Sequence, residues 1–154
     1  MFTDEMMHSA LQTWCDNVVA TGKAHAEGGD VRAFSEQVLT NFYDYDKGKV
    51  LFKPTLAYGT DTYRPTKKGA LAYFVGGDKD FPSDKGFKLK PWVKVWYSKA
   101  DYILHGDLGI VQCNVHFIGE DDSHIFVNKS FVFKLCDDGL VRIVLHQSSL
   151  PYQP

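Results

Sequence analysis

The stretch from Ile125 to Pro151, IFVNKSFVFKLCDDGLVRIVLHQSSLP, constrains this chain more than any other. Two runs of mostly β-branched and aromatic residues flank Asp137-Asp138-Gly139, and Asp-Gly between such runs is the strongest short-range hairpin signal. Each arm is long enough to lie in the middle of a sheet. A sheet built on it has an apolar face that the rest of the chain must cover.

The upstream sequence supplies that cover. From Thr3 to about Ala26, Met7, Leu11, Trp14, Cys15, Val18 and Val19 form the i, i+3, i+4, i+7 stripe of an amphipathic helix, with Thr3 or Asp4 as cap. Gly28-Gly29 ends it, and Asp30 caps a second helix with Val31, Phe34, Val38, Leu39 and Phe42 on its buried side. Pro54 makes Val50 to Thr55 an edge strand, and a short extended piece is expected at Tyr58 to Tyr63. Thr66 opens a third helix, Lys67 to Val75, which stops at Gly76-Gly77. Strands are expected over Phe87 to Ser98, Gly109 to Ile118, Ile125 to Leu135 and Val141 to Ser148, with turn chemistry between them. Helices first and hairpin-connected strands afterwards predict an α+β fold with an antiparallel sheet. The 154 residues fit one domain, 1–154, without an internal repeat or linker.

A net charge of −2 and a pI near 6.3 give no global field to recruit nucleic acid or an anionic membrane. The acidic start, Met1-Phe2-Thr3-Asp4-Glu5, does not read as a secretory signal, and nothing approaches the ~20 apolar residues of a membrane span, so a cytoplasmic location is expected. Cys15, Cys113 and Cys136 fit neither a disulfide framework nor a metal pattern and read as small buried hydrophobes.

Four stretches, in this order and spacing, resemble the nuclear transport factor 2-like superfamily, in particular the branch with SnoaL-like and SgcJ/EcaC-type proteins and the calcium/calmodulin-dependent protein kinase II association domain. They are KVLFKPT at 49–55, YRPTKKGALAYF at 63–74, GDLGIVQCNVHF at 106–117 and DGLVRIVLHQSSLP at 138–151, and Trp14 also fits. The resemblance implies a cystatin-like cone, a curved antiparallel sheet wrapped around the N-terminal helices with an internal pocket. It implies chemistry only weakly, since such folds share architecture rather than activity. Where relatives often carry an arginine in the penultimate strand this chain has Asn128 followed by Lys129, and the second histidine of the ending is Gln147. The loss of those arginines speaks against an anionic ligand.

Strict alternation puts Val141, Ile143, Leu145 and Gln147 on the pocket face of the last strand, and Arg142, Val144 and His146 on the other. The neighbour of Gln147 across the hairpin is Lys129 or Ser130, and the register decides which of Asn128 and Lys129 points inward. The expected ligand is a small neutral or weakly polar molecule, met by Asn128, Gln147 and Tyr58, with Tyr73 and Trp14 also in the pocket. The resemblance offers a rival, a SnoaL-like isomerase, cyclase or hydrolase using a cavity acid or His146, with Asp101 and Tyr58 as further candidates. A third alternative is an oligomerisation module like the kinase domain. Whether the chain is an enzyme stays open, and no cofactor is expected. No metal is expected either, because His105, His116, His124 and His146 lack zinc-type spacing. In FKLKPWVKVWYSK, lysines alternate with tryptophans in a way that suits single-stranded nucleic acid, yet exposed indoles on a convex sheet suit an association surface better. The expected partner is therefore a second copy, through Trp92, Trp96, His116 and His146.

Overall fold

Thr3 Oγ1 accepts from the backbone N–H of Met6 at 3.2 Å and starts α1, Asp4–Ala26, in a computed structural model that describes residues 1–154. Its buried side carries Met7, Leu11, Trp14, Cys15 and Val18, the stripe read from the sequence. Asp30 caps α2, Val31–Phe42, through Ala33 N at 3.0 Å, and Thr66 caps α3, Lys67–Val75, through Gly69 N at 3.2 Å. Gly76, at φ +67°, ends α3 in a conformation that suits glycine.

The five strands are β1 Leu51–Lys53, β2 Trp92–His105, β3 Leu108–Gly119, β4 His124–Leu135 and β5 Val141–Ser149, in the order β1-β5-β4-β3-β2. All neighbours are antiparallel except the short edge strand β1, which runs parallel to β5. The helices cover one face of this curved sheet, and 26 buried residues from helices and strands form one apolar cluster between them. This is the α+β fold expected from the element order, in the cone that the resemblance implied. No helix is long and apolar enough to cross a membrane.

Three local expectations fail for backbone reasons. Phe87–Leu89 is a 3₁₀ turn, and β2 starts only at Trp92, because Pro91 has no N–H to give to a ladder. The expected extension at Tyr58 to Tyr63 is a 3₁₀ turn over Gly59–Asp61. Strict alternation also breaks, because β2 slips one residue against β3 between Trp92 and Lys94 and another between Ser98 and Asp101, and β5 slips against β4 between Ile143 and Leu145. Val93 and Val144 are the extra residues of the first and last slips. Each bulge reverses the inward and outward phase of the strand beyond it. On β5 the inward residues are therefore Ile143, His146 and Ser148, 2%, 1% and 0% exposed, and Gln147 is turned away, opposite Ser130. Of the thiols, Cys15 and Cys113 are buried, Cys136 is half-buried and all three are free.

Candidate active site

The bulge on β5 brings His146 and Ser148 into the cone, beside Lys129 of β4. Ser148 is the cross-strand partner of Lys129, and His146 that of Phe131. Lys129 is 4% exposed, and its Nζ lies 2.8 Å from His146 Nε2, 3.1 Å from Ser148 Oγ and 4.3 Å over the Trp14 ring. Beyond β1, Thr55 places its Oγ1 2.6 Å from Ser148 Oγ. The buried Tyr73 of α3 accepts from Leu56 N at 3.3 Å and has Thr55 against its phenol. Lys53 Nζ donates to the carbonyl of Ser148 at 3.0 Å.

His146 is held on every side. Phe52 and Phe131 stack on its ring at 4.6 and 4.5 Å between centroids. Its Nδ1 meets Tyr43 OH at 3.1 Å, and that hydroxyl accepts from Trp14 Nε1 at 3.1 Å. A second amine, Lys88 on the 3₁₀ turn, is 1% exposed, with its Nζ 4.0 Å over the Phe74 ring.

Burial sets the proton equilibria here. Removal from water disfavours the charged forms, which holds Lys88 and Lys129 down to about 7. His146 falls well below its ordinary range, first through burial and then through the two lysines. Burial also pushes the Tyr73 phenol up to about 12. No carboxylate is among the groups acting on these three bases.

A cavity of about 330 Å³ leads in from the surface, lined by Leu56, Tyr73, Phe87, Lys90 and Trp92 among others. Trp92 Nε1 is a buried donor without a protein partner, a group that needs a water or ligand. A larger cavity of about 760 Å³ lies along α1 and the β4–β5 hairpin, but no basic side chain lines it. Of the cluster, Tyr73 lines the smaller cavity, with Asp84 and Lys90, and Trp14 lines the larger one.

The sequence-derived candidates separate. Tyr73 and Trp14 stand in this cluster, and so does His146, which was expected on the outer face. Trp92 was expected in an interface and is 4% exposed inside the cone, re-aimed by the bulge at Val93. Asn128 is not a pocket residue. It lies on the outer face, donating to Asn114 at 3.0 Å, and Lys129 takes the inward position. Gln147 faces outward, Tyr58 is 72% exposed and Asp101 sits exposed on β2, so none reaches the cavity. Trp96 and His116 do lie on the outer face, with rings stacked at 4.8 Å and His124 Nε2 3.1 Å from His116 Nδ1. No group of three or more His, Cys, Asp or Glu side chains is placed to hold a metal ion.

Residues 5–150 match the model of a family described as metal-independent carbonic anhydrase. The chain belongs to that family. A metal-independent carbonic anhydrase of Nostoc sp. (strain PCC 7120 / SAG 25.82 / UTEX 2576) is 39% identical over 153 residues, 98% of this chain and 75% of that protein. The crystal structure of a cyanobacterial iota-carbonic anhydrase complexed with bicarbonate superposes with a TM-score of 0.97 at 39% identity, covering 99% of this chain and 94% of that one. A Xanthomonas campestris protein named for the calcium/calmodulin-dependent protein kinase II association domain has a TM-score of 0.65 at 15% identity, covering 100% and 91%. That more distant likeness, with those to proteins named for the nuclear transport factor 2-like superfamily, shows the fold alone.

Membership in the metal-independent carbonic anhydrase family corrects the functional expectation. A binder of neutral molecules, a SnoaL-like isomerase and an oligomerisation module all give way to it. In place of the missing arginines, the structure buries two amines from other positions, Lys88 and Lys129.

Proposed function

We propose that this chain interconverts CO2 and bicarbonate at the hydroxyl and amine cluster of Thr55, Tyr73, Lys88, Lys129, His146 and Ser148. The observation that carries the reading is the buried Lys129 amine against the Ser148 hydroxyl at 3.1 Å, walled by the Trp14 and Phe131 rings.

Hydration of CO2 requires a water that loses a proton as its oxygen attacks carbon. Zinc enzymes achieve this by lowering the pKa of bound water to about 7. In this chain a base that is about half unprotonated near pH 7 takes that part. A water held on the Thr55 and Ser148 hydroxyls has a hydrogen-bonded path to Lys129, since the successive separations are 2.6 and 3.1 Å. As the new C–O bond forms, one C=O electron pair moves onto its oxygen, and the water proton passes to the basic pair Lys129–His146. The products are bicarbonate and a protonated base, which returns its proton to solvent. The Tyr73 hydroxyl and the orphan Trp92 N–H are donors for the developing negative oxygen, and Lys88 adds positive charge when protonated. Phe52, Phe131 and Trp14 give the apolar CO2 a dry wall.

The test is stopped-flow CO2 hydration with a pH indicator, on protein dialysed against chelator. Turnover should survive the chelator and fall by about 10²-fold in Ser148→Ala. Hydration no faster than buffer in the folded wild-type protein overturns the reading.

A further inference from the structure

The hydrogen bonds behind the site have only one consistent direction. Trp14 Nε1 is an obligate donor and points at Tyr43 OH, 3.1 Å away. Tyr43 is 1% exposed, and the only acceptor in reach of its own proton is His146 Nδ1 at 3.1 Å. A neutral His146 that accepts at Nδ1 carries its hydrogen on Nε2. That hydrogen faces Lys129 Nζ at 2.8 Å, and an ammonium group has no lone pair to receive it.

We propose that Tyr43, oriented by Trp14, fixes the proton of His146 on Nε2 and so keeps Lys129 as a neutral amine, the base that takes the proton from the attacking water when its one lone pair turns from His146 to Ser148. This rests on the carbonic anhydrase reading of the site. Tyr43 is a positioning residue, since it touches His146 and acts on Lys129 only through it.

Uptake of a proton by Lys129 turns an ammonium N–H toward His146 Nε2. The ring must then carry its hydrogen on Nδ1, and Tyr43 must accept it, leaving the tyrosine hydroxyl proton without a partner in a buried site. That orphaned donor disfavours the ammonium form. The groups acting on Lys129 from the surrounding elements are Cys15 on α1, Lys53 on β1, Lys88 on the 3₁₀ turn, Cys113 on β3 and His146 on β5. None is a carboxylate; Cys113 and Cys15 favour the ammonium form but come after burial, which disfavours it. Burial raises the Tyr43 phenol further, which keeps its proton available to donate.

Two measurements test this. In ¹⁵N-labelled wild-type protein, the His146 ring should show the Nε2–H tautomer. An Nδ1–H tautomer or an imidazolium at neutral pH overturns the inference without touching the assignment of activity. In Tyr43→Phe, the orphaned donor is gone, and the midpoint of the rise of kcat/KM with pH should move up by about one unit, tenfold less activity on the low-pH side. A folded Tyr43→Phe with an unmoved midpoint overturns the proposal, because a purely structural defect scales the profile and leaves its midpoint in place. Should that variant not fold, the wild-type tautomer decides alone. Wild-type protein with the Nε2–H tautomer but no CO2 hydration would sink the function and spare the hydrogen-bond direction.

Discussion

Three cations are buried in this protein, and they are built in opposite ways. Arg64, 1% exposed, makes a two-point contact with Asp84 at 2.6 and 2.9 Å and also donates to the carbonyls of Asp61 and Gly69 at 2.7 and 2.8 Å. Four of its five N–H groups have oxygen partners, one of them a carboxylate that is itself 4% exposed. Lys88 and Lys129 have aromatic faces, a histidine and a hydroxyl instead, with no acid. The difference separates structure from chemistry. A guanidinium paired in this way stays charged and holds the Asp78–Gly86 loop to the start of α3. An amine without a counter-ion is free to trade its proton near neutral pH.

The sharpest break of the comparison is Lys129→Met. Loss of the base should lower CO2 hydration by about 10²–10⁴-fold, read by stopped flow, while denaturant unfolding shows stability unchanged or raised, since a desolvated amine leaves the core. Arg64→Met should do the reverse. It strands the Asp84 carboxylate and should cost about 3–5 kcal/mol in urea unfolding, with activity per folded molecule kept. If both variants lose activity and stability together, the division into structural and chemical cations fails.

The smallest effect is in the pH dependence of stability. Lys88 and Lys129 titrate at about 7 when folded against 10.5 ordinarily, so above pH 7 the unfolded chain binds more protons and stability rises with pH. The slope should be ~1.4 kcal/mol per pH unit for each lysine. It should flatten from about pH 9 and level near pH 10, as the thiols of Cys15 and Cys113, raised by burial to about 12 and about 11, ionise only in the unfolded chain and pull the other way. Chemical denaturation from pH 7 to 10 checks this, and Lys88→Met should halve the initial slope.

Much of the fold was legible. Caps at Thr3, Asp30 and Thr66, the glycine stops and the Asp138-Gly139 turn are local signals, and each produced its element. The site was legible only in part. Tyr73 and Trp14 were found through resemblance, whereas His146 was assigned to the wrong face, since no glycine marks the bulge at Val144. The acid expected beside the bases is absent: no carboxylate acts on Lys88, Lys129 or His146, and the cavity's Asp84 is taken up by Arg64. One signal was present and unused: Lys129 interrupts the alternate positions Val127, Phe131 and Phe133, all buried. A lysine in such a row either unfolds the strand or has a purpose. Lys88 had no comparable mark, since its direction depends on a 3₁₀ turn.

Val144 has no partner on β4, and its presence makes the identity of the site a matter of counting. In descendants of this chain, substitutions along β5 can be absorbed one side chain at a time. Ile143 and His146 are three residues apart and both face inward only because Val144 is looped out; taking Val144 back into the ladder at unchanged length would turn the strand over, sending His146 and Ser148 to the surface and Gln147 and Ser149 inward. The site is therefore held by how these residues pair as much as by which they are, and a different chemistry lies one step of register away.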